Sequence, residues 1–332
     1  MLKRNITKKN VPEARRPSPP ATLLTIEWAA LAGAAAAGAL LAVFPIRLFF
    51  PDTHSSAFAL EHYLAGILLA ALLIVWLNWR ANWQFVCTES IRLVRQMLAL
   101  CLIVFLHFNF KLWAMLVNPY RFDESYFAID QALTWLDPAV GLLNLGFSPL
   151  KALMPDAYHD VFVAMFLATF LCFAAANRRA AFERGLLAVA LVLLIGGLAY
   201  LPFPAFGPFI YQSEVGSQAD RIQQDMLGFM QTFVASHGKS YVGGNFIMPL
   251  AAMPSLHLAH AFVLLYYAWR HLRWLGYLYL PAFLFLASEA VASRWHYLID
   301  LPAGLAIALL CIAIADRGIQ GEAPKSAGKK SV

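Results

Sequence analysis

Charge is scarce in this sequence. Asp, Glu, Lys and Arg together make up 13% of the 332 residues, about half the roughly 25% usual in soluble domains. Hydrophobic residues make up 61%, and the mean hydropathy is +0.62. So few charges cannot cover the apolar surface of a soluble globule, which leaves an integral membrane protein. There are only four cysteines: Cys101, Cys172 and Cys311 lie in apolar runs and Cys87 in a polar link, so neither a disulfide framework nor a metal-ligand spacing follows. No metal or cofactor is expected. A clear small-residue cleavage site is also missing after the first apolar run, which ends in Phe44-Pro45-Ile46-Arg47. That run reads as a retained helix. The net charge of +6 would suggest nucleic acid in a soluble chain. Here the cations sit in tails and short loops, the pattern that fixes membrane orientation, so no nucleic-acid partner is expected.

What the chain does have is a series of apolar runs long enough for a hydrocarbon core of about 30 Å. They predict an all-α integral membrane protein of about eight spans, near 22–44, 62–79, 97–117, 160–176, 185–203, 254–269, 274–292 and 297–315. Residues 1–20, with six Lys or Arg and four prolines, offer nothing to bury and read as a disordered tail. Tyr126, Phe127, Ile129, Leu133, Trp135 and Leu136 in the long link 118–158 predict one interfacial helix lying on the membrane. A second amphipathic piece is expected near 222–234. With the N-terminus inside, the inner segments hold 18 Lys plus Arg and the outer links 6. This bias places both termini in the cytoplasm and both long links on the opposite, periplasmic or luminal side.

Two stretches on that outer side carry candidate chemistry. His296 and Asp300 are four apart, a spacing that puts both on one face of the last helix. A carboxylate bonded to one imidazole nitrogen fixes the tautomer and raises the basicity of the other, which prepares a histidine as nucleophile or base. His257 falls in the first turn of the sixth span, after Pro254 and after Ser255, which can cap the helix or bond a ligand. A helix N-terminus favours a phosphate. The alternative for each histidine is a satisfied residue at the membrane border.

Pro254-Ser255-Leu256-His257 resembles the second motif (P-S-x-H) of the type 2 phosphatidic acid phosphatase superfamily, and His296-Tyr297-Leu298-Ile299-Asp300 resembles its third (H-x-x-x-D). Further stretches resemble the branch containing inositol phosphorylceramide synthase. These are the Gly243-Gly244 lead-in, Phe203-Pro204-Ala205-Phe206-Gly207-Pro208, and the D-x6-D-x-x-L pattern of Asp123, Asp130 and Leu133. The resemblance implies a six-helix catalytic membrane domain at 97–315, preceded at 21–96 by two added helices and a cytoplasmic link and followed at 316–332 by a basic cytoplasmic tail.

It also implies phosphoryl transfer without a metal. His296 would attack phosphorus, Asp300 would orient it and His257 would protonate the leaving oxygen. The partners would be membrane lipids: a phospholipid donor and a hydroxyl lipid acceptor, or water in a phosphatase. A non-enzymatic lipid-binding or transport protein on the same scaffold is the third reading.

The superfamily's cationic clamp departs here. No Lys or Arg stands in 203–209, and the Arg usual six residues before the third-motif His falls on Ala290. Arg294 and Lys111 are the substitute phosphate ligands, with interfacial anchoring as the alternative for each. Ser255, Gly243 and Gly244 complete the expected substrate site. His107, His260 and Glu289 could line the same cavity or form internal pairs. The orientation has a direct check. A cysteine introduced at Gln218 should react with an impermeant thiol reagent in intact cells and one at Arg179 should not; the reverse labelling overturns it.

Overall fold

The computed structural model describes residues 23–52, 65, 68–76, 83–154, 156–212 and 217–319. The basic tail expected at 1–20, most of the C-terminal tail and half of the expected second span lie outside these; within that span, 65 and 68–76 are helical. The described residues are otherwise organised as helices α1 (Thr25–Val43), α2 (Trp83–Val117), α3 (Asp123–Ala132), α4 (Asp137–Gly146), α5 (Ser148–Leu153), α6 (Ala157–Ala175), α7 (Arg179–Ala199), α8 (Gln218–Ala235), α9 (Leu256–His271), α10 (Arg273–Ala292) and α11 (Asp300–Gly318). Six of them, α1, α2, α6, α7, α10 and α11, are long and apolar enough to cross a membrane. The protein is therefore a multi-pass membrane protein.

Helix α7 is the axis of the bundle. Its sequence is apolar on every side, so it has no face to give to solvent, and Ala188, Val189, Ala190 and Val192 are fully buried. Around it stand α2, α9 and α11, and α9 packs also on α6, α10 and α11. With 16 residues α9 is shorter than the six spanning helices, yet it packs among α6, α7, α10 and α11. At the end that the cation count places inside, Glu27 pairs with Arg95 at 2.6 Å, Glu89 with Arg179 at 2.8 Å and Glu183 with Arg92. These partners let the charged segment before residue 97 continue as helix, so α2 starts at Trp83 and not near 97.

The link 118–158 also departs from expectation. Instead of one surface helix it forms α3, a 3₁₀ turn (Thr134–Leu136), α4 and α5. Pro138 and Pro149 explain the breaks, since proline suits the first turn of a helix and opens α4 and α5. Helix α4 packs on α10. Beyond it, Phe147 meets Phe285 edge-on at 5.3 Å. The amphipathic piece in the second long link is α8, capped by Ser217, whose Oγ accepts the Asp220 N–H at 3.0 Å. Its buried Phe233 packs on Phe49 at 5.2 Å, and Gln223 Nε2 donates to Ser293 O at 2.8 Å. Helix α8 thus rests on the turn that leads into His296.

Two glycines permit the close approaches at that turn. The first turns of α9 and α11 touch through their backbones: Ser255 N–H donates to Asp300 O at 3.1 Å, and a Cβ on Gly304 would lie 2.3 Å from Ser255 O. Gly207 has φ +124°, where an L side chain is strained, and a Cβ there would lie 2.9 Å from Trp295 O. Gly141, in contrast, has nothing within 4 Å. Gly304→Ala should therefore destabilise the protein in detergent by about 1–3 kcal/mol through overpacking. Gly141→Ala should be neutral or gain up to about 1 kcal/mol from helix propensity. Equal thermal midpoints for the two variants would contradict the backbone contact.

Candidate active site

His296 is held by a turn, not by a helix. Helix α10 ends at Ala292, Arg294 takes the left-handed conformation (φ 60°) and reverses the chain, and the His296 N–H donates to Ala290 O at 3.0 Å. The expected pairing across one helix face is accordingly made in another way, because His296 precedes α11 and Asp300 is that helix's first residue. The imidazole Nδ1 lies 2.9 Å from Ala252 O and 3.2 Å from Asp300 Oδ2. Both partners are acceptors, so Nδ1 carries a proton, and in the neutral ring the lone pair falls on Nε2. The Asp300 side chain is fully buried. Its Oδ2 also accepts the Tyr297 N–H at 2.9 Å, while Oδ1 has no partner among the described residues.

The acidic pattern in the first long link acts on the same turn. Asp123 and Asp130 are seven apart on α3, hence on one face, and that face meets the residues just after His296. Asp123 Oδ1 accepts the Tyr297 hydroxyl at 2.9 Å and the N–H groups of Phe206 and Gly207 at 2.8 and 3.0 Å. Asp130 Oδ1 accepts the Leu298 N–H at 2.9 Å. Helix α3 thereby ties the 203–208 loop to the His296 turn. Burial pushes the Asp130 carboxyl up to about 6, aided by the Asp300 charge and opposed by the Leu298 N–H and Arg294. Burial likewise raises Asp123, against the pull of its three donors and Arg121.

Beside the turn lies a cavity of about 610 Å³ lined by His296, His257, Lys111 and Lys151 among others. His257, in the first turn of α9, stands between two rings, Phe162 edge-on at 5.0 Å and Tyr158 at 5.4 Å, and within electrostatic reach of His296 and Lys111. Lys111 projects from α2 over the face of Tyr200 at 5.6 Å. No carboxylate neutralises it among the described residues. Lys151, on α5, pairs with Glu289 at 2.9 Å, and Asn144 bonds to both, at 3.2 and 2.7 Å. The deeper wall is apolar, with Val104, Phe108, Phe166, Leu193 and Phe285, and the rim is polar, with Asp156, Asp160 and Gln218.

Not every expected residue reaches this cavity. Ser255 is fully buried at the start of α9, neither caps the helix nor lines the cavity, and keeps its Oγ without a protein partner. Gly243 and Gly244 lie against Asp52 instead. Arg294 lies within electrostatic reach of Asp130 and is not among the lining residues. His107 and His260 do line the cavity, but their rings bond to backbone carbonyls: His107 Nδ1 to Leu193 O at 2.9 Å, and His260 to Leu256 O and Val189 O at 2.8 and 3.2 Å. Their service to the helix packing is plain. Lys151 was not singled out in the sequence, although a signal was there: it is the one charged residue between Asp137 and Asp156.

Searches of curated proteins and of solved structures give no match to this chain. The sequence model of the PAP2 superfamily matches residues 139–314, a segment that begins within α4, ends within α11 and contains His257, His296 and Asp300. That match spans more than half of the sequence, and on it the chain belongs to the PAP2 superfamily.

Proposed function

We propose that this protein is a lipid phosphotransferase that moves a phosphorylated head group from one membrane lipid to the hydroxyl of another through a phosphohistidine. Superfamily membership supports a phosphatase or phosphotransferase type of activity. The observation that carries the mechanism is the pair of acceptors on His296 Nδ1. They leave Nε2 with its lone pair beside a cavity that also holds a second imidazole and an uncompensated lysine.

The reaction then runs in two displacements. In the first, the Nε2 lone pair of His296 attacks phosphorus, the bond from phosphorus to the leaving oxygen breaks, and that oxygen takes a proton from His257. The Asp300 carboxylate balances the charge that His296 gains. In the second, the acceptor hydroxyl gives its proton to His257 and attacks phosphorus; the P–N bond breaks and its electron pair returns to Nε2. Lys111 and the N–H groups at the start of α9 supply fixed positive potential to the phosphoryl oxygens. The phosphate brings the negative charge that favours protonated His257 when substrate is bound.

An acceptor lipid fits the apolar part of the cavity, where Phe108 on α2, Ile222 and Met226 on α8, and Ile247 provide a wall for a chain. Inositol phosphorylceramide synthase-like transfer is the finer reading, and it rests on the stretches at 203–208 and 120–133. Water as acceptor gives a lipid or polyprenyl phosphate phosphatase, which the polar rim at Asp156, Asp160 and Gln218 favours. The site would face the periplasmic side of a bacterial inner membrane, or a lumen, with both termini cytoplasmic.

Two experiments test these readings. Purified protein given phospholipid donors with and without ceramide or diacylglycerol should form a new phosphodiester lipid only when the acceptor is present; free phosphate alone would identify a phosphatase, and no turnover of any donor would overturn the enzyme reading. The second concerns His257. His257→Ala should slow a donor with an alkoxide leaving group by roughly 10²–10⁴, the range of general acid catalysis, and slow an activated aryl phosphate much less. Equal losses on both donors would remove His257 from the acid role.

A further inference from the structure

Tyr158 belongs to none of the motifs above, yet its surroundings single it out. It stands in the first turn of α6, lines the cavity, and lays its ring 5.4 Å from the ring of His257. Its hydroxyl oxygen is buried and has no hydrogen-bond partner among the described residues. A buried hydroxyl in that state is costly and uncommon. Other tyrosines of this protein follow the rule. Tyr279 Oη donates to Met165 O at 2.8 Å, Tyr267 Oη to Asp316 at 3.1 Å, Tyr297 Oη to Asp123 at 2.9 Å, and Tyr241 Oη to Phe50 O at 2.7 Å.

Packing alone does not call for a tyrosine here. Phe162, one helical turn further along α6, covers another side of His257 at 5.0 Å with a bare ring. What Tyr158 adds is an O–H in the wall of the cavity that His257, Lys111 and His296 also line, with Glu289 within electrostatic reach. A neutral donor suits that place. The cations lining the cavity are lysines, one of them occupied by Glu289 and Asn144, and no guanidinium lines it.

We infer that the Tyr158 hydroxyl is a catalytic hydrogen-bond donor to a phosphoryl oxygen of the group in transfer, next to His257. The inference rests on the phosphotransfer reading above. When phosphorus becomes five-coordinate its equatorial oxygens gain charge, and a donor fixed in a dry site bonds to them more strongly than to the ground state. The hydroxyl takes no part in proton transfer, so it should leave the leaving-group selectivity set by His257 untouched.

Inorganic vanadate, which forms a five-coordinate mimic of the transferring group, is the probe. Tyr158→Phe keeps the ring and removes only the oxygen. The variant should keep or raise the thermal midpoint of the wild type in detergent. Its vanadate inhibition constant should rise and its kcat/KM fall by roughly 10- to 100-fold, as for the loss of one hydrogen bond to a charged group. Its ratio of rates on alkyl and aryl donors should stay at the wild-type value. Wild-type vanadate inhibition in the variant overturns the assignment. A selective loss on alkyl donors also overturns it, since the hydroxyl would then act on the leaving oxygen. Failure of the phosphotransfer reading looks different: the wild type itself would neither turn over a phosphorylated donor nor respond to vanadate, and the role of Tyr158 would fall with it.

Discussion

A carboxylate with no exposed surface sits at the start of α11, and the surrounding end of the molecule is arranged so that it can stay there. Burying Asp300 is unfavourable unless its charge is met by donors. The Tyr297 N–H and the Nδ1–H of His296 meet it, and both bonds exist only because the chain reverses at Arg294 and re-enters a helix at residue 300. The same turn fixes the tautomer of His296, since Ala252 O shares the Nδ1 proton. A requirement of stability and a requirement of reactivity are thus met by one set of bonds.

The surrounding elements brace that turn from several directions. Helix α3 reaches it through Asp123 and Asp130, α8 through Gln223, and α9 through the backbone of Ser255. In a membrane protein much of the helix-to-helix contact is between surfaces as apolar as the lipid, so close packing and satisfied polar groups must specify the arrangement. Gly304 and the buried hydrogen bonds around the His296 turn do so here. The opposite end is held by ion pairs, Glu27 with Arg95 and Glu89 with Arg179. The cavity also holds Lys111, whose charge no carboxylate meets among the described residues.

Much of this was legible in the sequence because hydrophobic runs report on helices and hydroxyl, imidazole and carboxylate groups at run ends report on chemistry. The helices at 25–43, 157–175, 179–199, 273–292 and 300–318 each overlap an expected run closely. The pairing of His296 with Asp300 could be read from spacing, although the geometry behind it could not: a turn and a helical face both bring residues four apart together. The three short helices in 118–158 depended on Pro138 and Pro149, whose effect at a helix start was not weighed against the apolar spacing. Lys151 on α5 and Tyr158 on α6 reach the cavity from two elements, and their placement beside α10, through the Lys151–Glu289 pair and the packing of α6, is a tertiary fact. Arg294 illustrates the converse, a cation close in sequence to His296 that lies within electrostatic reach of Asp130 and off the cavity wall.

The central claim is that Nε2 of His296 is the nucleophile, prepared by the two acceptors on Nδ1. It can be tested by looking for the covalent species. In the His257→Ala variant an activated aryl phosphate still loads the enzyme, and the second displacement lacks its base, so the intermediate accumulates. After a rapid quench at alkaline pH, which preserves a phosphoramidate, mass spectrometry of the peptide containing Ser293–Asp300 should find the phosphoryl group on His296. The label should be lost on replacing His296 by alanine. A variant that turns over with no label on His296, or with the label on another residue, contradicts the account.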